Sequence, residues 1–238
     1  MGPGQWPADC HWPGDVTRDG HNPKVNDPIR PTESHAECFA DLVRWRRDVR
    51  RFKTDAVPET TIDQLLALAD LSPSVGNSQP WRVVRVKSAD ARAAIRKNFE
   101  TANAAASNIY TDPQQRSDYL ALKLAGFDAA PEHIAILSDH DSDQGQGLGR
   151  QTMPEMLDYS CVSFVTTLWY AARAQGLGMG WVSILDPNAA KSLLSVPENW
   201  HLIAYLLIGY AQEHHLDPEL ERHGWQPRTP RTTRTLDR

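Results

Sequence analysis

Residues 154–176, PEMLDYSCVSFVTTLWYAARAQG, place the tightest constraint on how this chain can fold. Apolar or small residues recur at 157, 161, 164, 165, 168 and 172, the spacing of one helical face, and Gly176 stands where a helix-ending glycine belongs. The segment is apolar over much of its circumference, and such a helix needs burial on more than one side. It is too short to span a bilayer: its apolar run, 161–172, and the run LIAYLLIG at 202–209 both fall well below the roughly 20 residues a span requires. The helix therefore belongs in a core and against a second layer or a second copy of the chain.

The rest of the chain alternates helix and strand signals. HAECFADLVRW (35–45) carries a stripe at Cys38, Phe39, Leu42 and Val43, and a second helix is marked by Ile62, Leu65, Leu66 and Ala69, with Thr60 or Thr61 as cap and Pro73 beyond its end. WRVVRVKS (81–88), HIAILSD (133–139), GWVSIL (180–185) and LIAYLLIGY (202–210) are predicted strands. Ser88 is placed to cap the helix ADARAAIRKNF, and Asp186 to cap a short helix with Pro187 at its first position. About four strands among helices predict an α+β sandwich with a helical dimer interface. Residues 1–35, rich in Pro, Gly, Asp, Asn and His, read as an irregular arm, 36–228 as the folded domain and 229–238 as a polar tail.

A chain of 238 residues, 40% hydrophobic, with net charge -5 suits one soluble domain with a sizeable core. No secretory signal is recognisable at the start, so a cytoplasmic location is expected. Cys10, Cys38 and Cys161 form no C-x-x-C and are read as free thiols, Cys161 in the core.

Against that acidic balance, RWRRDVRRF (44–52) concentrates Arg44, Arg46, Arg47, Arg50 and Arg51 around a single carboxylate, Asp48. Arginine forks match phosphate oxygens and stay charged, so the cluster fits a phosphate site; it fits equally a solvated helix face paired with acidic side chains. A nucleic-acid patch is disfavoured because no basic stripe extends it. SPSVGNSQPWR (72–82) offers Ser74, Asn77, Ser78 and Gln79 with little bulk, as a cradle for a flat polar heterocycle would, or as an ordinary connector would. GLGMGWVSIL (176–185) has glycines that let backbone approach a partner closely, ahead of Ser183. Its spacing is not that of a dinucleotide fingerprint, and QGQGLGR (144–150) lacks the lysine of a P-loop. His214-His215 is an adjacent pair without a second ligand cluster, so no metal is expected, and no serine sits in a hydrolase elbow.

Taken together and in order, RRDVRRF, SPSVGNSQPW, GLGMGWVSILDP and GWQPR resemble the FMN-binding nitroreductase superfamily, and within it the BluB branch of 5,6-dimethylbenzimidazole synthases. The likeness covers about residues 36–228, including DYLALKLAGFDAAP (118–131), QGQGLGRQTMPEMLDYS (144–160) and IGYAQEHHLDPELERHGW (208–225). It implies a nitroreductase-like α/β sandwich with a central mixed sheet flanked by helices. The long buried helix would lie at a homodimer interface, with FMN bound between subunits. Arg46, Arg47 and Arg50 would hold the ribityl phosphate and ring edge, beside Val49, with Arg228 closing on the phosphate. Ser74, Asn77 and Gln79 would face the isoalloxazine or ribityl chain from the other subunit, and Ser183 would sit near the ring.

Most nitroreductases pass electrons from NAD(P)H through FMN to an outside acceptor. The BluB branch instead consumes reduced FMN with dioxygen, giving 5,6-dimethylbenzimidazole, the lower ligand of vitamin B12, and erythrose 4-phosphate. Many nitroreductases carry serine after the arginine pair; Asp48 and Ser183 here match the BluB pattern. The resemblance thus implies Asp48 as base or proton relay and Ser183 as an orienting hydrogen bonder. A carboxylate among arginines is expected to be held ionised. NAD(P)H would act indirectly, through a possible separate flavin reductase; neither nucleic acid nor membrane is an expected partner.

Overall fold

The computed structural model describes residues 33–121, 126–230 and 234–235, so the N-terminal arm lies almost wholly outside the described residues. In chain order the elements are α1 (Glu33–Trp45), α2 (Glu59–Ala69), β1 (Trp81–Arg85), α3 (Ala89–Ser107), α4 (Pro113–Ala121), α5 (Gly126–Ala129), β2 (Glu132–Asp139), α6 (Met156–Ala174), β3 (Gly178–Val182), α7 (Pro187–Leu193), β4 (Trp200–Gly209) and α8 (Glu219–Arg222). A 3-10 turn spans Val75–Asn77.

Alternating side chains of the central strands build two cores. Ile134, Ile136, Leu206 and Ile208 point to one face of the sheet and meet Ile62 and Leu65 of α2 and Cys161, Phe164, Val165 and Leu168 of α6. Ala135, Leu137, Tyr205 and Leu207 point to the other and meet Ile95 and Phe99 of α3, Phe127 of α5 and Ala190 of α7. Strand order is β1-β2-β4-β3. One register row, Val84–Ala135–Tyr205–Val182, crosses all four strands. Every ladder is antiparallel, so the sheet is not mixed at the level of its strands. The parallel pairing among the described residues is an isolated bridge, Asp48–Met179, made where the chain leaving α1 passes the outer edge of β3.

The long helix follows its sequence pattern. Leu157, Cys161, Phe164, Val165, Leu168 and Ala172 are buried, and Phe164 packs on Trp81 with ring centroids 5.1 Å apart. Its other side leaves Tyr159 and Val162 exposed. The α1 stripe departs from expectation: no α1 residue is buried and Phe39 is 58% exposed, because α1 lies along α6 outside both cores and meets it through contacts such as Phe39 on Tyr170.

Helix ends follow local chemistry, with one correction. The Ser88 hydroxyl accepts from the Ala91 N–H at 3.4 Å, and Asp186 accepts from the Asn188 and Ala189 N–H groups at 2.9 and 3.0 Å. Gly176 closes α6 at φ +75. The N-cap of α2, however, is Pro58, and Thr60 and Thr61 fall inside the first turn; the backbone fixed by Pro58 starts the helix earlier than either threonine. Cys161 is a free, buried thiol as expected, whereas Cys38 is disulfide-bonded, against the reading of three free thiols. Spacing along the sequence could not reveal that pairing. Among the described residues no helix is long and apolar enough to cross a membrane.

One buried titratable pair makes stability pH-dependent. His133, 1% exposed, shares a 2.9 Å hydrogen bond with the Tyr205 hydroxyl. Burial, reinforced by the Arg92 guanidinium, pushes His133 from 6.5 down to about 4. Between those values the unfolded chain binds a proton that the folded chain does not, so stability falls as pH drops through the window and is unaffected above it. Urea unfolding at about pH 7 and about pH 5 is expected to show a loss of about 2 kcal/mol in excess of that in His133→Gln, which removes the titration but can still bond Tyr205.

Candidate active site

Past Trp45 the chain runs along the free edge of β3. Asp48 bridges Met179, and the Val49 N–H donates to the Met179 carbonyl at 3.0 Å. Phe52, fully buried, then bridges Ala211, while the Lys53 N–H donates to the Tyr210 carbonyl at 2.7 Å. Two glycines permit this approach. A Cβ at Gly180 would lie 2.3 Å from the Val49 carbonyl oxygen, and one at Gly178 would lie 2.7 Å from Val49 Cγ2. The partner that GLGMGW lets come close is the chain's own arginine segment.

That segment forms one wall of a cleft of about 380 Å³, lined by Arg46, Arg47, Asp48 and Arg50, by Trp169 of α6 and Trp181 of β3, and by Pro218, Glu219, Leu220 and Arg228 from the region around α8. The Arg46 guanidinium lies 4.5 Å from the centre of the Trp169 ring, and the two tryptophan rings are 6.3 Å apart. Arg47 Nε donates to the Leu216 carbonyl at 2.9 Å. Arg50 faces both Asp48 at 3.4 Å and Glu219 at 3.7 Å. Four guanidinium groups against two carboxylates leave two positive charges uncompensated among the lining residues. Burial, with Arg46 and Arg228 close by, lowers the Arg47 pKa against the opposing pull of Asp217, as expected where cations outnumber anions. The Trp169 Nε1–H is buried and finds no hydrogen-bond partner among the described residues. These features fit a phosphate-bearing ligand with a flat ring.

Asp48 is held from two directions. Its Oδ1 accepts from the Trp181 N–H at 2.9 Å and its Oδ2 from Arg50 Nε at 3.4 Å. Burial raises its pKa above the ordinary carboxylate value; the Trp181 N–H and Arg50 oppose the rise without cancelling it. Of the lining arginines it is Arg50 that touches this carboxylate, because Arg46 turns onto Trp169 and Arg47 onto Leu216. The side chain remains 34% exposed, so a ligand in the cleft can reach it.

The other sequence candidates lie apart from this lining. Ser183 is exposed and follows the last residue of β3, rather than standing within a strand from 180 to 185. Ser74, Asn77 and Gln79 cluster after α2, where the Ser74 hydroxyl accepts from the Gln79 N–H at 3.0 Å. Gln144 Nε2 donates to the Asn77 carbonyl at 3.0 Å and to Gln79 Oε1 at 2.8 Å. The two loops interlock through backbone: a Cβ on Gly145 would meet the Gly76 carbonyl oxygen at 2.8 Å, and both glycines have positive φ. Trp169, Trp181 and Glu219 were missed as lining residues. Trp169 hides in the apolar pattern of α6, and Glu219 lies in an acidic stretch with no spacing that marks it.

The nitroreductase family model matches residues 43–210. The chain is 53% identical over 190 residues to the 5,6-dimethylbenzimidazole synthase of Rhodospirillum rubrum, covering 79% of this chain and 89% of that one. It is 44% identical over 198 residues to the 5,6-dimethylbenzimidazole synthase of Rhodobacter capsulatus, covering 83% and 95%. In fold it is similar to the crystal structure of oxidised iodotyrosine deiodinase bound to FMN and 3-iodo-L-tyrosine, with TM-score 0.65, 22% identity and coverage of 84% and 97%. The edge-bound arginine segment, the glycines that admit it and this similarity across most of both chains lead to one assignment: the chain belongs to the nitroreductase family, in its 5,6-dimethylbenzimidazole synthase group.

Proposed function

We propose that this chain is a 5,6-dimethylbenzimidazole synthase that takes reduced FMN as substrate and, with dioxygen, fragments it to dimethylbenzimidazole and erythrose 4-phosphate. The observation that carries the reading is the cleft in which Asp48, fixed by the Trp181 N–H, stands beside Arg46, Arg47, Arg50 and Arg228. The arginines bind the phosphate and ring edge, and Val49 fixes their backbone on β3. Asp48, its pKa raised by burial, accepts and returns a proton at the ring. Bound flavin supplies the redox chemistry; the protein orients it and excludes competitors.

Ser74, Asn77 and Gln79 lie away from this cleft, so in this reading they serve a flavin bound chiefly by a second copy of the chain. The exposed Tyr159 and Val162 of α6 would then be covered in a homodimer. Ser183, just past β3 and outside the cleft lining, would meet only a ring that extends beyond the cleft. The FMN-binding domain runs over 36–228, electrons come indirectly from NAD(P)H through a separate flavin reductase, and the enzyme works in the cytoplasm.

The test is a single anaerobic reduction of bound FMN followed by admission of oxygen. Permanent loss of flavin absorbance with a new benzimidazole product is expected. Return of intact FMN would identify an NAD(P)H-dependent nitroreductase instead.

A further inference from the structure

A second cluster of functional side chains lies outside the cleft. His140 directly follows β2, His201 is the second residue of β4, and Asp158 sits in the first turn of α6. His140 Nε2 is 2.6 Å from Asp158 Oδ1, and His201 Nδ1 is 3.6 Å from Asp158 Oδ2. The imidazoles lie face to face, with centroids 3.9 Å apart and planes 33° from parallel. One donor atom from each residue lies within 4.8 Å of those of the other two.

We propose that His140, Asp158 and His201 bind a divalent cation of the zinc class. Two imidazoles and one carboxylate suit Zn²⁺, Ni²⁺ or Cu²⁺, whereas Mg²⁺ and Ca²⁺ prefer all-oxygen sites. A carboxylate that merely oriented a histidine would need one ring. Here a second ring from another strand turns toward the same carboxylate, beyond hydrogen-bond distance from it. Metal–ligand bonds of about 2.0–2.2 Å put ligand atoms roughly 3.3 Å apart. Reaching that spacing requires His140 and Asp158 to part slightly and His201 to close in. The 53% exposure of the His201 side chain leaves room for the swing. Coordination positions not filled by protein face solvent and take water.

The surrounding backbone is braced for such a site. Arg82 Nη2 donates to Asp139 at 2.7 Å beside His140, and Asn199 Nδ2 donates to Asp141 at 2.9 Å, tying the approach to β4 to the residue after His140. A cation there fastens the first turn of α6 to the ends of β2 and β4. None of the three ligands lines the arginine cleft, so the site stands independently of the flavin chemistry.

The test uses the full chain without a histidine tag, stripped with chelator and titrated with Zn²⁺ by calorimetry. In parallel, Co²⁺ is followed by its visible ligand-field bands. Uptake of a single ion per chain with micromolar or tighter affinity is expected. His201→Ala, at an exposed position, and Asp158→Asn should each lower affinity by about tenfold or more and abolish the Co²⁺ bands. The double variant His214→Ala/His215→Ala should bind like wild type. Thermal unfolding of each stripped variant separates loss of a ligand from loss of fold, and His201→Gln repeats the test should His201→Ala unfold. The proposal is overturned by uptake no tighter than millimolar, or by uptake that survives in folded His201 and Asp158 variants.

Discussion

Asp48→Asn protein is expected to retain FMN while forming dimethylbenzimidazole about 10²–10⁴-fold more slowly, the range associated with losing a positioned proton-transfer group. Retention follows from geometry: asparagine keeps an oxygen to accept the Trp181 N–H now bonded to Asp48 at 2.9 Å, and the four lining arginines are untouched. What disappears is a carboxylate able to take up a proton. Because burial raises the Asp48 pKa, the protonated form persists to higher pH than for an ordinary aspartate. The wild-type rate should therefore climb as pH rises through that value, and this limb should be missing from the variant. Flavin fluorescence measures binding, and product chromatography after oxygen admission measures chemistry. Normal product from Asp48→Asn that still binds FMN would remove Asp48 from the mechanism.

Gly180→Ala carries the second large effect. Its new Cβ would lie 2.3 Å from the Val49 carbonyl oxygen, a backbone atom that cannot rotate away. The arginine segment must lift from β3, breaking the Val49 N–H bond to Met179 and the Asp48 bond to Trp181. A loss of about 3 kcal/mol, the upper end for overpacking, is expected, lowering Tm by roughly 10 °C in a chain of this size. FMN affinity should fall at least about tenfold as the arginines lose their common wall. Gly176→Ala is the comparison: among the described residues nothing lies within 4 Å of its Cβ, so left-handed backbone alone is penalised, at about 1 kcal/mol. Equal effects of the two substitutions would show that close approach to Val49 does not matter.

Much of the framework was legible because its causes are local. The buried face of α6 is the stripe read from its spacing, and Ser88 and Asp186 cap through their near neighbours. The arginines and Asp48 also stood out in the sequence, but their individual partners did not. Which guanidinium touches Asp48 is decided by Trp169, Leu216 and Glu219, each more than a hundred residues away along the chain. Separation along the chain also hid the His140–Asp158–His201 cluster, whose members are unremarkable until β2, α6 and β4 converge. The α1 stripe marks the opposite failure: its apolar periodicity was read correctly, yet periodicity does not say which body covers it.

The segment over 48–49 has one consequence beyond ligand binding. A sheet ends in strands whose outer amides and carbonyls can recruit a strand from another molecule, and folded proteins cover such rims to avoid polymerising. Here β3 is capped on its outer side by the arginine segment itself, through the Val49–Met179 and Asp48–Trp181 bonds. Damage that detaches this segment thus uncovers a sticky rim at the moment it dismantles the site. Lesions in this region will surface as aggregated protein as well as inactive enzyme, and solubility becomes a direct reporter of how firmly the segment is seated.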